Sequence, residues 1–204
     1  MDVDVIATGL SARGYATVEN ALPLDLLVRL EHACHDTAEA PFAPAATGRA
    51  AGREPRASIR GDVISWLDDA NEADHAYLDL MEHLRLSLNE HLYLGLFDFQ
   101  GHYAIYEAGA HYDKHLDSLA GQRNRVLSTV IYLDSGWALA DGGELLLYRA
   151  DAPAAIARIL PRPGMMVVFL SEEFPHEVLA ATKARRSIAG WFSGRPPAPG
   201  QDRA

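Results

Sequence analysis

Apolar residues in the first half of the chain recur at the spacing of an α-helix. One set follows Pro23, a residue suited to the first turn of a helix, and consists of Leu24, Leu27, Leu30 and Cys34. A second set predicts a helix over residues 72–93, with an apolar stripe of Tyr77, Leu80, Leu84, Leu88 and Leu92. Residues 12–19 favour a short strand. Residues 58–67 favour a turn that leads into a second strand.

From residue 96 onward, short apolar runs alternate with turn residues. The runs are rich in β-branched and aromatic residues: Phe97–Tyr106, Leu127–Leu133, Glu144–Tyr148, Met165–Leu170 and Ser187–Phe192. Turn signals separate some of them, at Asp141–Gly143 and Pro161–Gly164. Helices followed by many short strands predict a mostly β fold, a sandwich or jelly roll with the N-terminal helices packed outside.

Length and charge narrow the class of protein. With 204 residues, 49% of them hydrophobic, we expect one domain over residues 1–192 and a disordered tail over 193–204. The net charge of −10 argues against nucleic acid as the main partner, because phosphate binding requires a basic face. No apolar run suits a membrane helix, and we find no secretory signal. The single cysteine, Cys34, fits a reducing compartment, so we expect a cytoplasmic protein.

Residues 41–57 are rich in Ala, Gly, Pro and Arg, which is typical of a mobile loop. Its arginines, Arg49, Arg53 and Arg56, are notable in an acidic protein. They read either as a solvated loop or as a lid that closes over an acidic or extended peptide.

A candidate metal site comes from the stretch that ends in His115 and Asp117. Residues two apart on a strand point to the same face, so this imidazole and carboxylate can meet. His176 follows Pro175 near the end of the Met165–Leu170 strand region. Two histidines and one carboxylate form the facial triad of non-haem Fe(II) oxygenases, which leaves coordination positions open. The alternatives are a polar pair on an exposed strand and a zinc site in a hydrolase.

Arg185 lies nine residues after His176 and opens an apolar strand. Burying a guanidinium is costly unless an anion meets it, and its planar fork suits a carboxylate. An Fe(II) triad with an inward arginine indicates a co-substrate that carries a carboxylate. A zinc hydrolase gives no reason for this arginine.

The remaining histidines do not extend the candidate site. His111 lies four residues before His115 but is a poor ligand candidate. The others are interpreted as residues of helix surfaces or as filler: His32, His35, His75, His83, His91 and His102.

These motifs resemble those of the prolyl 4-hydroxylase-like 2-oxoglutarate and Fe(II)-dependent dioxygenases. The closest likeness is to the hypoxia-inducible-factor prolyl hydroxylases and their bacterial relatives. The segment Ile59–Trp66 matches their Ile-Arg-Gly-Asp-x-Ile-x-Trp pattern. Further matches are the Tyr106–Tyr112 run before His-x-Asp, the Tyr132-Leu133-Asp134 strand, Trp137 with Gly142-Gly143, Pro175–Val178, and Arg185 six residues before Trp191.

The resemblance implies a double-stranded β-helix with helices on its major sheet, and it implies roles for named residues. The catalytic iron ligands would be His115, Asp117 and His176. The 2-oxoglutarate pocket would be formed by Arg185, Tyr132 and Tyr106. Substrate contacts would come from Arg60, Asp62, Arg125 and Trp191. The implied cofactors are Fe(II), 2-oxoglutarate and O2, with ascorbate as a supporting reductant.

The function that follows from the resemblance is hydroxylation of a prolyl residue in a protein, with release of succinate and CO2. Elongation factor Tu is the candidate substrate, and we expect a monomer or weak oligomer without nucleic-acid or membrane partners. The alternatives are hydroxylation of a free amino acid or small peptide, a non-catalytic binding module of the same fold, and an oxygenase that repairs nucleic acid. The acidic net charge counts against the last of these.

Overall fold

The computed structural model describes residues 1–36, 42–45, 59–119 and 124–195. The helices are α1 (Val3–Arg13), α2 (Leu24–Asp36) and α3 (Glu72–Leu92), with a 3-10 turn at Leu139–Asp141. The strands are β1 (Tyr15–Val18), β2 (Ala43–Pro44), β3 (Asp62–Trp66), β4 (Leu96–Tyr106), β5 (Tyr112–His115), β6 (Leu127–Tyr132), β7 (Leu145–Leu147), β8 (Ala157–Ile159), β9 (Met166–Leu170), β10 (His176–Val178) and β11 (Arg185–Gly194). Within this part of the chain, no helix combines the length and the apolar character needed to cross a membrane.

Two antiparallel sheets form the body of the fold. The major sheet has the order β1-β9-β6-β11-β4-β3-β2, and the minor sheet has the order β5-β10-β7-β8. One apolar cluster lies between the two sheets, and a second lies between the major sheet and the three helices. The predicted jelly roll with N-terminal helices packed on its major sheet is therefore confirmed.

Alternation along the central strands of the major sheet separates these two clusters. On β4, Tyr103 and Ile105 pack with the helices, whereas Ala104 and Tyr106 pack between the sheets. This period of two is expected for extended backbone. Because the major sheet is covered on both faces, its strands read as nearly continuous apolar runs, and polar residues on the inner face are exceptions that need an explanation.

Helix α3 carries the predicted apolar stripe on its buried face. The helix begins after Asn71, whose side-chain oxygen accepts hydrogen bonds from the Ala73 and Asp74 amides, and it ends at Tyr93 in the left-handed conformation. The residues of the stripe that are fully buried are Tyr77, Leu84 and Leu88, joined by Met81. Leu80 and Leu92 are partly buried at its edge.

The strand predicted over residues 12–19 is wrong at its start. Residues 12 and 13 complete helix α1, and the strand begins at Tyr15. Asp2 caps the start of this helix by accepting a hydrogen bond from the Val5 amide, and Gly14 ends it with a φ of 80°. A glycine is suited to this position because the left-handed conformation costs it little.

Other element bounds also differ from the prediction. His176 does not belong to the strand region 165–170: it begins β10 in the opposite sheet. Strand β8 was not predicted, and β11 continues to Gly194, two residues beyond the predicted end of the domain at residue 192. The remaining tail residues, 196–204, lie outside the described residues.

Part of the segment predicted as the loop 41–57 forms a strand. Ala43 and Pro44 pair with Ile64 and Val63 of β3 and make the edge of the major sheet. Arg49, Arg53 and Arg56 lie outside the described residues, so their interpretation as a lid stays a prediction.

We predict that Leu88→Ala lowers the free energy of unfolding by about 2–5 kcal/mol, because it opens a cavity between α3 and the major sheet. Leu86→Ala on the same helix is the matched control, since Leu88 is 0% exposed and Leu86 is 49% exposed. The control substitution should lower the free energy of unfolding by less than about 0.5 kcal/mol. Urea unfolding followed by circular dichroism measures both, and equal losses would contradict the packing described above.

Candidate metal centre

Three potential metal ligands converge between the sheets. His115 ends β5 and lies opposite His176, the first residue of β10, in the antiparallel pairing of these strands. Asp117 follows two residues after His115, beyond the end of the strand, where the backbone bends. The ligand atoms of all three residues lie within 4.8 Å of one another, an arrangement that could hold a metal ion.

Both imidazoles are oriented by backbone carbonyls. The Nδ1 of His115 lies 2.8 Å from the Asp113 carbonyl oxygen, and the Nδ1 of His176 lies 3.0 Å from that of Phe174. A carbonyl can only accept, so Nδ1 carries the proton and Nε2 keeps its lone pair. Each Nε2 faces Asp117, at 3.8 Å for His115 and 3.7 Å for His176. Metal-bound histidines in proteins are oriented in this way.

The electrostatics of the site favour the ligand forms of these groups. Burial, together with the neighbouring His176, lowers the pKa of His115 to about 4, so its imidazole is neutral at physiological pH. Burial acts to raise the pKa of Asp117, but His176 and His115 outweigh it, and hydrogen bonds from Ser128 and Trp191 add to them. The pKa of Asp117 is lowered to about 2, so the carboxylate is ionised.

A short chain of hydroxyl groups holds the Asp117 carboxylate. Ser128 on β6 donates a hydrogen bond of 2.6 Å to Oδ2 of Asp117, and its hydroxyl lies 2.8 Å from that of Ser171. Both serines are buried. Sequence reasoning missed them, because only the folded sheet brings β6 beside Asp117.

Arg185 lies in the same cavity as the triad. It is 2% exposed, its Nη1 donates a hydrogen bond of 2.8 Å to the Gly143 carbonyl oxygen, and its Nε has no partner. No carboxylate among the described residues forms an ion pair with it. The guanidinium lies beside the rings of Tyr106, at 4.4 Å, and Tyr132, at 5.6 Å. A buried cation in these surroundings is suited to bind an anion.

Tyr132 can act as a donor beside Arg185. Burial raises its pKa to about 12, so the phenol keeps its proton. Tyr106 is likewise buried, and both tyrosines line the cavity with Arg185. The three residues predicted to form the co-substrate pocket are therefore brought together.

Arg60 and Asp62 pair with each other at the wall of the cavity. Arg60 donates two hydrogen bonds, of 2.6 and 2.9 Å, to the two carboxylate oxygens of Asp62. Its guanidinium also lies 4.9 Å from the centre of the Tyr112 ring, which stacks on His115 at 3.6 Å. This pair thus supports the ring that covers a potential metal ligand.

Arg125 and Trp191 lie against each other beside Asp117. The guanidinium of Arg125 lies 3.7 Å from the centre of the Trp191 ring, and its Nη1 donates to the Asp117 carbonyl oxygen at 3.3 Å. Trp191 also lines the cavity. All four residues predicted as substrate contacts are therefore near the metal ligands, although Arg60, Asp62 and Arg125 also have partners within the protein.

His102 was interpreted as a surface or filler residue, and the structure corrects this. The residue is 1% exposed and lines the cavity that holds the triad. The signal in the sequence was the alternation of β4, since His102 is two residues before Ala104 and four before Tyr106, which both face the cavity. His111, by contrast, remains outside the site, beside Asp113.

A jelly roll with two histidines and one carboxylate between its sheets defines the class of non-haem iron oxygenases. Residues 101–193 match the model of the 2OG-Fe(II) oxygenase superfamily. The chain belongs to this superfamily, whose members use Fe(II) and 2-oxoglutarate, and the predicted family is confirmed.

Similar proteins of known structure include prolyl hydroxylases. A Pseudomonas putida prolyl-4-hydroxylase is 38% identical with a TM-score of 0.85, and the match covers 95% of this chain and 100% of that one. A Trichoplax adhaerens prolyl hydroxylase, solved with a hypoxia inducible factor peptide, has a TM-score of 0.81 over 94% of this chain and 88% of that one. At 22% identity it shows the shared fold.

Curated relatives match over part of their length. Prolyl 3,4-dihydroxylase OGFOD1 of Ostreococcus tauri is 38% identical over 101 residues, which are 43% of this chain and 19% of that protein. Egl nine homolog 1 of Homo sapiens is 28% identical over 143 residues, which are 66% of this chain and 33% of that protein. The matches thus span about a fifth to a third of the length of these relatives.

We predict that Ser128→Ala weakens metal binding by about ten- to hundredfold, because Asp117 loses the hydroxyl that orients its carboxylate. Calorimetric titration with Mn(II) measures the dissociation constant. Ser193→Ala is the matched control, since this hydroxyl lies at the surface beside the Asp98 carbonyl. A Ser128→Ala protein that is folded and binds Mn(II) like the wild type would refute the orienting role.

Proposed function

We propose that the protein is an Fe(II)- and 2-oxoglutarate-dependent dioxygenase that hydroxylates a prolyl residue in a protein and releases succinate and CO2. The observation that carries this proposal is the composition of one cavity. It holds two histidines with free Nε2 atoms and an ionised aspartate, and it also holds a buried arginine without a carboxylate partner among the described residues. A site that binds only a metal ion would not explain why an arginine is buried in the same cavity.

In this proposal, His115, Asp117 and His176 are the iron ligands and the catalytic residues. Iron and 2-oxoglutarate, when bound, supply the oxidising chemistry that inserts oxygen into a C–H bond. The protein contributes the position and the protonation state of the ligands. Ser128 and the carbonyls of Asp113 and Phe174 fix the three side chains before the metal arrives.

The co-substrate binds through its distal carboxylate, to which Arg185 and Tyr132 donate, while Tyr106 lines the pocket. A charge-assisted hydrogen bond in a buried site is stronger than one in water. The same residues keep water away from the reaction, because Tyr106, Tyr132 and Arg185 are all buried. Exclusion of water from the cavity is suited to an oxidation that must be directed at one C–H bond.

A prolyl residue is our preferred target because three relatives named above carry that activity in their names. Arg60, Asp62, Arg125 and Trp191 form the wall that the substrate meets. The resemblance to bacterial members makes elongation factor Tu our first candidate substrate. We further propose a single catalytic domain over residues 1–192, which acts in the cytoplasm as a monomer or weak oligomer.

The direct test compares the proteomes of cells with and without this gene by mass spectrometry. We expect a gain of one oxygen atom on a proline, first of all in elongation factor Tu, that requires the gene. Purified enzyme with Fe(II), 2-oxoglutarate, O2, ascorbate and the identified peptide should release one succinate for each hydroxyproline formed. No gene-dependent hydroxyproline in any protein would contradict the protein substrate and favour a free amino acid. No succinate with any substrate would favour a non-catalytic module.

We predict that Arg185→Gln weakens 2-oxoglutarate binding at least about tenfold, because a charge-assisted bond to the distal carboxylate is lost. Calorimetry with the Zn(II)-loaded protein measures this without turnover. Arg186→Gln is the matched control, since Arg186 is the next residue of β11 and pairs with Asp134 instead. Equal weakening by both variants would contradict the assignment of Arg185.

A further inference from the structure

His102 is a buried histidine without a partner. It lies on β4 with its side chain in the wall of the metal cavity. Among the described residues, neither of its ring nitrogens has a hydrogen-bond partner. Buried polar side chains in native proteins are generally paired, and an unpaired one destabilises the folded state. His102 therefore needs an explanation that packing alone does not supply.

Two tryptophans hold the imidazole in place. The centre of the His102 ring lies 5.2 Å from that of Trp66 and 5.3 Å from that of Trp191. Trp66 is 53% exposed, whereas Trp191 lines the cavity beside Asp117. The three rings thus form a row that leads from the metal ligands to the protein surface. An immobilised ring in such a row is preorganised for binding.

The imidazole is neutral, which defines what it can recognise. Burial, followed by the nearby Arg60 guanidinium, lowers the pKa of His102 to about 4. A neutral imidazole offers one N–H donor and one acceptor nitrogen. It is suited to an uncharged polar group such as an amide, and much less to an anion, which Arg185 binds better.

The position of His102 separates it from the co-substrate. Tyr106 lies opposite Arg185 and His102 lies opposite Ala189 in the pairing of β4 with β11. His102 is thus four residues further along the strand, which is roughly 13 Å. A five-carbon dicarboxylate anchored on Arg185 is shorter than this. A group that reaches His102 therefore belongs to the substrate rather than to the co-substrate.

We propose that the N–H of His102 donates a hydrogen bond to a backbone carbonyl oxygen beside the target proline, which makes His102 a specificity-determining residue. The nitrogen of a peptide-bonded proline has no hydrogen, so the carbonyls on either side are the groups that a protein can recognise there. A free amino acid lacks the carbonyl of a preceding residue. This inference rests on the proposed function, since it deepens the choice of substrate.

The first test uses N-acetyl-L-proline N-methylamide, a prolyl diamide that carries both carbonyls. The Zn(II)-loaded wild-type protein, with isotope-labelled histidine, is titrated by NMR with 2-oxoglutarate and then with the diamide. We expect the His102 ring signals to shift with the diamide and to stay in place with 2-oxoglutarate alone. Signals that ignore the diamide, or that move with free L-proline instead, would overturn the inference. His102 ring signals that show a hydrogen bond to a bound water, unchanged when the diamide is added, would also overturn it.

The second test compares variants by their dissociation constant for the same diamide. His102→Leu should weaken binding about tenfold, the loss expected for one hydrogen bond in a buried site. His102→Gln retains a donor and should stay within about threefold of the wild type. His83→Leu is the control, because that histidine lies on the exposed face of α3. Affinity for 2-oxoglutarate should remain unchanged in all three.

A merely structural role predicts a different pattern. His102→Leu removes two unpaired polar atoms from the interior, so we expect its melting temperature to be no lower than that of the wild type. Stability that falls while diamide binding is kept would assign His102 to packing and overturn the inference.

The inference and the proposed function fail separately. If the His102→Leu protein still hydroxylates its substrate and binds the diamide as tightly as the wild type, only the inference is contradicted. If diamide binding depends on His102 but neither hydroxyproline nor succinate is formed, only the proposed function is contradicted.

Discussion

The pairing of β5 with β10 in the minor sheet is the constraint on which the rest of the site depends. It places His115 directly opposite His176, so the centres of the two rings are 4.2 Å apart. Each ring is then turned by the carbonyl two residues before it, which directs both Nε2 atoms towards Asp117. A shift of one residue in this pairing would move a histidine to the other face of the sheet.

The major sheet supplies a complementary set of rows across the cavity. Asp62, Tyr106 and Arg185 are neighbours on β3, β4 and β11, and four residues along, Trp66, His102 and Ala189 form a parallel row. The first row contains Arg185, which we propose binds the co-substrate, and the second faces the proposed substrate. Because residues on a strand alternate between faces, the residues of opposite orientation, such as Tyr103 and Ile105 of β4, pack against the helices. The residues of the site and the residues of the helix-facing core thus lie on opposite faces of the same strands.

Sequence analysis predicted the fold class and, among the residues that meet in the cavity, the triad, Arg185 and Tyr132, but it did not predict which strands bring them together. His115 and Asp117 converge although only His115 lies on the strand, and His176 begins a separate short strand in the minor sheet. Helix α1 escaped prediction because its buried face includes Ala7 and Gly9, which give a weak apolar pattern. Ser128 and His102 depend on which strands become neighbours, and that information is not local in the sequence.

The most direct measurement of the central claim is the stoichiometry and affinity of Fe(II) binding under anaerobic conditions, in the presence of 2-oxoglutarate. The wild type should bind one ion per chain, and Asp117→Asn should lose most of that affinity because a neutral amide is a weaker ligand for a divalent cation than an ionised carboxylate. Asp113→Asn is the matched control, since the Asp113 side chain is exposed and only its backbone carbonyl contacts His115. Equal binding by the wild type and Asp117→Asn would contradict the account.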